Sequence, residues 1–126
     1  MTGVKYLLDT NVILGLLKND SKVTALLSGL DLETGECGYS AITRMELLGY
    51  PSITAAEISV ITETLEVLVY LGVTTAVEDT AIGIRQSTKL KLPDAIICST
   101  ALVHNVKLLT FDTQLDSAYK ALLAQY

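Results

Sequence analysis

Strand-like and helix-like spacings of apolar residues alternate along this chain. Val4 to Leu8 is a short apolar run of the kind expected for a strand buried on both faces of a parallel sheet. Asp9, Thr10 and Asn11 then offer capping side chains for a helix of about eight residues that ends near Asn19 and Asp20. Ser21 can cap a second helix through Leu30, with Val23, Leu26, Leu27 and Leu30 on one face. A second strand is expected within Gly35 to Ala41, after which Ser40 or Thr43 starts a third helix that carries Glu46 and breaks at Pro51 and Ser52.

Thr54-Ala55-Ala56-Glu57 has the form of a capping box, and Ile58, Ile61, Leu65 and Leu68 continue at helical spacing. Val67 to Val73 fits either the end of that helix or a strand, and the reading adopted is a short strand around Val69. Thr75 to Ser87 is helical again. Pro93 belongs to the first turn of a helix from Asp94 to about His104, Lys107 to Thr110 forms the next strand, and Ser117 to Gln125 a terminal helix. This alternation predicts an α/β domain with a mainly parallel sheet and right-handed crossovers. No repeat, linker or low-complexity segment divides it, so residues 1–126 are expected to form a single domain.

Composition narrows the setting. With 126 residues the chain is long enough to bury a core without disulfide or metal staples. Half of the residues are hydrophobic, but charges interrupt every apolar stretch before the ~18 residues that a membrane span needs. Met1-Thr2-Gly3-Val4-Lys5 lacks the pattern of a signal peptide, Cys37 and Cys98 make no disulfide framework, and the cytosol is the expected compartment. Cys98 reads as a small buried apolar residue. The net charge of −5 argues against a protein that holds nucleic acid by nonspecific attraction. It does not exclude chemistry on a polyanion, because cations bound among clustered acids become the positive charges of a site.

Four acids sit in or against apolar runs: Asp9 after Val4 to Leu8, Glu46 within Ile42 to Leu48, Asp94 before Ala95-Ile96-Ile97, and Asp112 after Leu108 to Phe111. Removing an isolated carboxylate from water costs several kcal/mol and raises its pKa, so recurrence at element ends points to one shared cation. Oxygen ligands without His or Cys beside them suit Mg²⁺ or Mn²⁺ better than Zn²⁺. In open parallel sheets ligands bind at the carboxyl ends of the strands. Asp9 and Asp112 follow predicted strands, and the early turns of the helices bearing Glu46 and Asp94 can face the same edge.

At these positions the chain resembles the PIN-domain ribonucleases, above all the small VapC-like toxins of toxin–antitoxin pairs. The resemblance is carried by Leu7-Leu8-Asp9-Thr10-Asn11-Val12-Ile13-Leu14, Ser40-Ala41-Ile42-Thr43-Arg44-Met45-Glu46-Leu47-Leu48-Gly49, Leu92-Pro93-Asp94-Ala95-Ile96-Ile97-Cys98-Ser99-Thr100-Ala101 and Leu109-Thr110-Phe111-Asp112, in that order. It implies a PIN-like three-layer α/β fold and Mg²⁺- or Mn²⁺-dependent endonuclease activity on RNA, with Asp9, Glu46, Asp94 and Asp112 as catalytic, metal-binding residues. Asn11 and Thr110 would then hold the first and last acids in place. The resemblance also implies a homodimer and an antitoxin partner whose basic or aromatic side chains occupy the acidic groove. The family's closing strand is not evident after Asp112, where helical spacing leads to Tyr119-Lys120-Ala121-Leu122-Leu123, and Asp116 is left open as a fifth acid.

Each feature also has a plainer reading. Asp9 and Asp94 suit helix starts, Glu46 suits a solvated helix face, and Asp112 suits a turn. Of the cations Arg44, Arg85, Lys89 and Lys91, only Lys89 and Lys91 precede the Asp94 motif closely enough to favour contact with substrate phosphates. His104 lies at the far end of its helix from Asp94 and reads as a charge partner for that terminus. The six tyrosines form no stacking stripe. Rival functions are a haloacid-dehalogenase-type phosphohydrolase, which wants a second Asp where Asn11 stands; a receiver domain, which wants adjacent early acids and a late Lys; and a PIN-like module kept for binding alone.

Overall fold

The computed structural model describes residues 3–126. Met1 and Thr2, which entered the argument against a signal peptide, lie outside the described residues. Four short strands, β1 (Tyr6–Leu8), β2 (Cys37–Ser40), β3 (Val69–Leu71) and β4 (Lys107–Leu109), form one sheet in the order β3-β2-β1-β4. Every neighbouring pair is parallel. Among the described residues seven α-helices connect and follow the strands: α1 (Thr10–Leu17), α2 (Ser21–Leu30), α3 (Ala41–Leu48), α4 (Ala55–Glu66), α5 (Thr75–Ser87), α6 (Leu92–His104) and α7 (Thr113–Leu123). None is long and apolar enough to cross a membrane.

Alternation along the strands divides the core into two layers, because successive strand residues point to opposite faces. Leu7 packs with Ile84, Ala95, Cys98, Leu108 and Tyr119, so α5, α6 and α7 meet one face. Leu8 packs with Val12, Ile13, Val23, Leu47, Ile61 and Leu65, so α1 to α4 meet the other. The sheet is thereby covered on both sides, as parallel sheets are. Gly15 lets α1 and α2 approach closely, since a Cβ there would stand 2.1 Å from Cγ2 of Val23. Both cysteines are free and buried.

The local signals resolve as follows. Ser40 caps α3, Thr54 and Glu57 close the capping box of α4, and the strand reading around Val69 holds. The second helix is capped by Asp20, whose carboxylate accepts from the Lys22 amide, rather than by Ser21. A carboxylate is at least as good an acceptor at this position, which moves the cap back by one residue. The terminal helix starts at Thr113, earlier than its apolar spacing indicates, because Asp112 Oδ1 accepts from the amides of Gln114 and Leu115 at 3.0 and 3.1 Å.

That helix takes over a task at the sheet's edge. The amide of Lys107 bonds to Lys5 O and the carbonyl of Leu109 to the Asp9 amide, so residues 107 and 109 face β1 and the backbone groups of Leu108 face outward. Tyr119, buried on α7, donates its hydroxyl to Val106 O at 3.1 Å. Burial pushes its phenol pKa up, and the Leu108 amide facing the phenol oxygen acts the other way. The phenol therefore occupies an edge that a further strand would otherwise cover. Tyr119→Phe should leave buried backbone groups unpaired and destabilise the protein by about 1–3 kcal/mol, measured as a lower urea midpoint at unchanged slope.

Candidate active site

The order β3-β2-β1-β4 places the reversal of strand order at β1 and β4, whose carboxyl ends carry Asp9 and Thr110. This is the position at which open α/β sheets build their ligand crevices. Asp9 is the buried acid of the four, at 7% exposure, and caps α1 through a bond from the Thr10 amide to Oδ1 at 2.8 Å. Its other oxygen accepts the Thr110 hydroxyl at 2.7 Å. Each carboxylate oxygen keeps a further lone pair, so Asp9 is fixed in direction while still able to bind a cation.

Thr110 is the junction of the β4 side. Its oxygen accepts from Asn11 Nδ2 at 3.3 Å and from the Asp112 amide at 3.0 Å while its proton goes to Asp9. Asn11 Oδ1 in turn accepts the Phe111 amide at 3.2 Å. Asn11 and Thr110 thus cross-link the loops after β1 and β4. Asp112, exposed, uses Oδ1 alone to cap α7, so Oδ2 takes no part in the cap.

Glu46 is exposed on α3, and Oε1 accepts the Thr10 hydroxyl at 2.8 Å. The same hydroxyl lies 2.9 Å from that of Thr43, which is buried with Ser40. Beyond capping, little local in the sequence marks Thr10, Thr43 and Ser40 for this role. The one available signal was Thr43, a hydroxyl residue within an apolar helical stretch, where an oxygen requires a partner.

Asp94, half-buried in the first turn of α6, connects all four acids. Its pKa is raised, first by burial and then by the charges of Asp112, Asp9 and Glu46, with Lys91 acting in the opposite direction. Asp9, Glu46, Asp94 and Asp112 therefore share one electrostatic neighbourhood. Behind them the Cys98 thiol is pushed up to about 12 by burial and by Asp94 and Asp9, so it is inert packing. The expectation that all four acids are desolvated needs correcting: Glu46 and Asp112 are exposed, Asp94 is half-buried and only Asp9 is buried.

Among the cations, Lys91 immediately precedes α6 and acts on Asp94, while Lys89 is exposed nearby in sequence. Arg44 lies beside Tyr39 and Glu66, and Arg85 lines an apolar hollow with Ile82 and Leu92. Asp116 pairs with Lys120 at 2.9 Å and is not among the charges acting on Asp94. Among the described residues no group of three or more His, Cys, Asp or Glu forms a ready-made metal cage. A hard divalent ion fits such a set nonetheless, since Mg²⁺ is commonly held by one or two carboxylates, with water and substrate phosphate completing its shell.

The chain belongs to the PIN domain family, whose model matches residues 6–121. This sets aside the haloacid-dehalogenase and receiver-domain alternatives. No curated protein matches the chain. Among solved structures it is similar to a toxin–antitoxin complex from Klebsiella pneumoniae, at 27% identity and a TM-score of 0.75 over 87% of this chain and 88% of that one. It is also similar to FitAcB from Neisseria gonorrhoeae, at 27% identity and a TM-score of 0.69 over 91% and 93%. VapBC2 from Rickettsia felis, bound to a DNA fragment from its promoter, shares the fold at 19% identity, with a TM-score of 0.75 over 91% and 93%.

Clustered carboxylates predict a pH dependence. A carboxyl whose pKa is raised on folding favours the native state when protonated, and that contribution is lost as pH rises from the ordinary 3.8 through the raised value. In metal-free buffer Asp94→Asn should therefore raise the unfolding midpoint above that pH window and leave it nearly unchanged below. An equal effect at all pH values would show that charge is not the cause.

Proposed function

We propose that this protein is a divalent-metal-dependent endoribonuclease and the toxin of a toxin–antitoxin pair. The observation that carries the reading is the bonding that gathers the acids, with Thr10 joining Asp9 to Glu46 and Thr110 joining Asp9 to the Asp112 amide, beside Asp94, whose pKa Asp112, Asp9 and Glu46 all raise. Membership of a nuclease-type family and likeness to a chain from a toxin–antitoxin complex support it. Mg²⁺ or Mn²⁺ would be held by Asp9 and Asp94, with Glu46 and Asp112 as ligands directly or through water. When bound, such an ion supplies an activated water and charge stabilisation for phosphodiester hydrolysis.

The chain's own residues prepare that chemistry. Asn11 and Thr110 fix Asp9 through the bonds that join the two loops. The burial of Asp9 and the partial burial of Asp94 exclude water from the inner side, while Glu46 and Asp112 leave the rim open to a polyanion. Lys91, with Lys89, would contact RNA phosphates as they approach. A PIN-like module kept for binding alone is the alternative, and metal-dependent cleavage separates the two.

Partners follow the same reading. A groove of about 340 Å³ opens from Thr10 and Glu46 between α1, α3 and α4, with Leu14, Leu47, Tyr50 and Ile61 among its walls. Its mainly apolar walls, lined also by Glu46 and Glu57 beside Lys18, suit an apolar antitoxin segment that carries a basic side chain. Ile58 and Val60 on α4 and Ile82 on α5 are exposed apolar side chains available to a homodimer.

Wild-type protein should cut RNA with Mg²⁺ or Mn²⁺ and stop when the ion is chelated. Asp9→Asn should stay folded and lose roughly 100-fold or more in rate. Cleavage that survives both changes would refute the nuclease site, and Mn²⁺ binding without cleavage would favour the binding-only module. Light scattering should show a dimer at micromolar concentration, and saturating antitoxin should suppress cleavage. A monomer, or full activity in the complex, would reject the respective partner.

A further inference from the structure

Glu46 projects from an exposed helix face, where a glutamate ordinarily samples several rotamers, yet its Oε1 is held 2.8 Å from the Thr10 hydroxyl. We infer that Thr10 is the positioning residue of the acidic centre. Its amide and its hydroxyl together fix Asp9 relative to Glu46, and the buried hydroxyls of Thr43 and Ser40 fix Thr10. This deepens the nuclease reading and rests on it.

Proton counting gives the arrangement a direction. Thr10 has one hydroxyl proton and two oxygens within reach, Glu46 Oε1 at 2.8 Å and Thr43 Oγ1 at 2.9 Å. A carboxylate only accepts, so the Thr10 proton goes to Glu46 and the contact with Thr43 is carried by the proton of Thr43. Thr43 Oγ1 then accepts from Ser40 Oγ, 3.4 Å away, while Ser40 Oγ accepts the Thr43 amide at 3.2 Å. The donors run one way, from Ser40 to Thr43 to Thr10 to Glu46. Ser40 and Thr43 are each 1% exposed, so water does not substitute for either hydroxyl.

Thr10 touches a second acid through its backbone, whose N–H donates to Asp9 Oδ1 at 2.8 Å. One residue thus holds two carboxylates that both act on Asp94. Like charges relax apart when a side chain is free to turn into solvent, and Glu46 has that freedom once the hydroxyl is removed. Valine keeps the shape of Thr10 without a proton to donate, and serine keeps the proton. Both retain the amide bond to Asp9, so the pair isolates the hydroxyl.

The test measures Mn²⁺ affinity by titration calorimetry, RNA cleavage and thermal unfolding on wild type, Asp9→Asn, Thr10→Val, Thr10→Ala, Thr10→Ser and Thr43→Val. Thr10→Val should weaken Mn²⁺ binding and lower kcat by roughly 10–100-fold, the usual loss when a residue that orients a metal ligand is removed. KM for RNA should stay close to wild type, because Thr10 reaches carboxylates rather than substrate. Thr10→Ser should recover most of the loss, and Thr10→Ala gives the same reading if the valine variant does not fold. Thr43→Val, which touches no acid, should shift Mn²⁺ affinity in the same direction by less. Wild-type Mn²⁺ affinity in Thr10→Val or Thr10→Ala, or a serine variant as impaired as they are, overturns the inference. If Asp9→Asn still abolishes cleavage in that case, the nuclease reading stands without it. A wild type that neither binds Mn²⁺ nor cuts RNA removes both.

Discussion

The pairing of β1 with β4 is the constraint on which the site depends. Two strands far apart in sequence lie side by side, and the last ladder bond, from the Asp9 amide to Leu109 O at 2.9 Å, ends where the candidate site's side chains begin. One residue further on, the backbone ladder gives way to side chains: Thr110 bonds to Asp9, and Asn11 reaches across to Thr110 and Phe111. Because the strands are parallel, both chains leave the sheet at the same edge. Their loops then start helices, α1 and α7, whose first amides are satisfied by Asp9 and Asp112.

Against that ordering force stands mutual repulsion. Four neighbouring carboxylates oppose their own assembly, most visibly at Asp94, where burial and three like charges act together. Bonds from hydroxyl, amide and backbone donors offset part of that repulsion for Asp9, Glu46 and Asp112, and the first turn of α6 favours a negative charge at Asp94. The fold thus supplies donors that gather the acids and leaves further lone pairs on their oxygens unused. Gathering the acids therefore costs stability, the trade-off expected if they serve the proposed chemistry.

Much of the fold was legible because its signals are local. The apolar run before Asp9, the capping box at Thr54 and Glu57, and Pro93 at the start of α6 each act within a few residues, and each element forms where its signal lies. The sites of the acids in the elements were legible for the same reason. What escaped were pairings over distance. Thr10 meets Glu46 36 residues away, and Asn11 meets Thr110 99 residues away. No periodicity encodes such bonds, since they exist only once the sheet has formed. The start of α7 was misplaced because an Asp read as a candidate ligand also caps the helix, a double use that residue spacing does not separate.

The phenol of Tyr119 at the β4 flank determines how copies of this protein can meet. With one border of the sheet occupied by a side chain from α7, backbone-to-backbone extension is confined to β3, three residues long and on the border away from Asp9. A short border strand is a poor template for continuous stacking. Any association between copies would therefore fall to side-chain contacts between helices, which are discrete and saturable, rather than to the open-ended growth that unpaired strands invite.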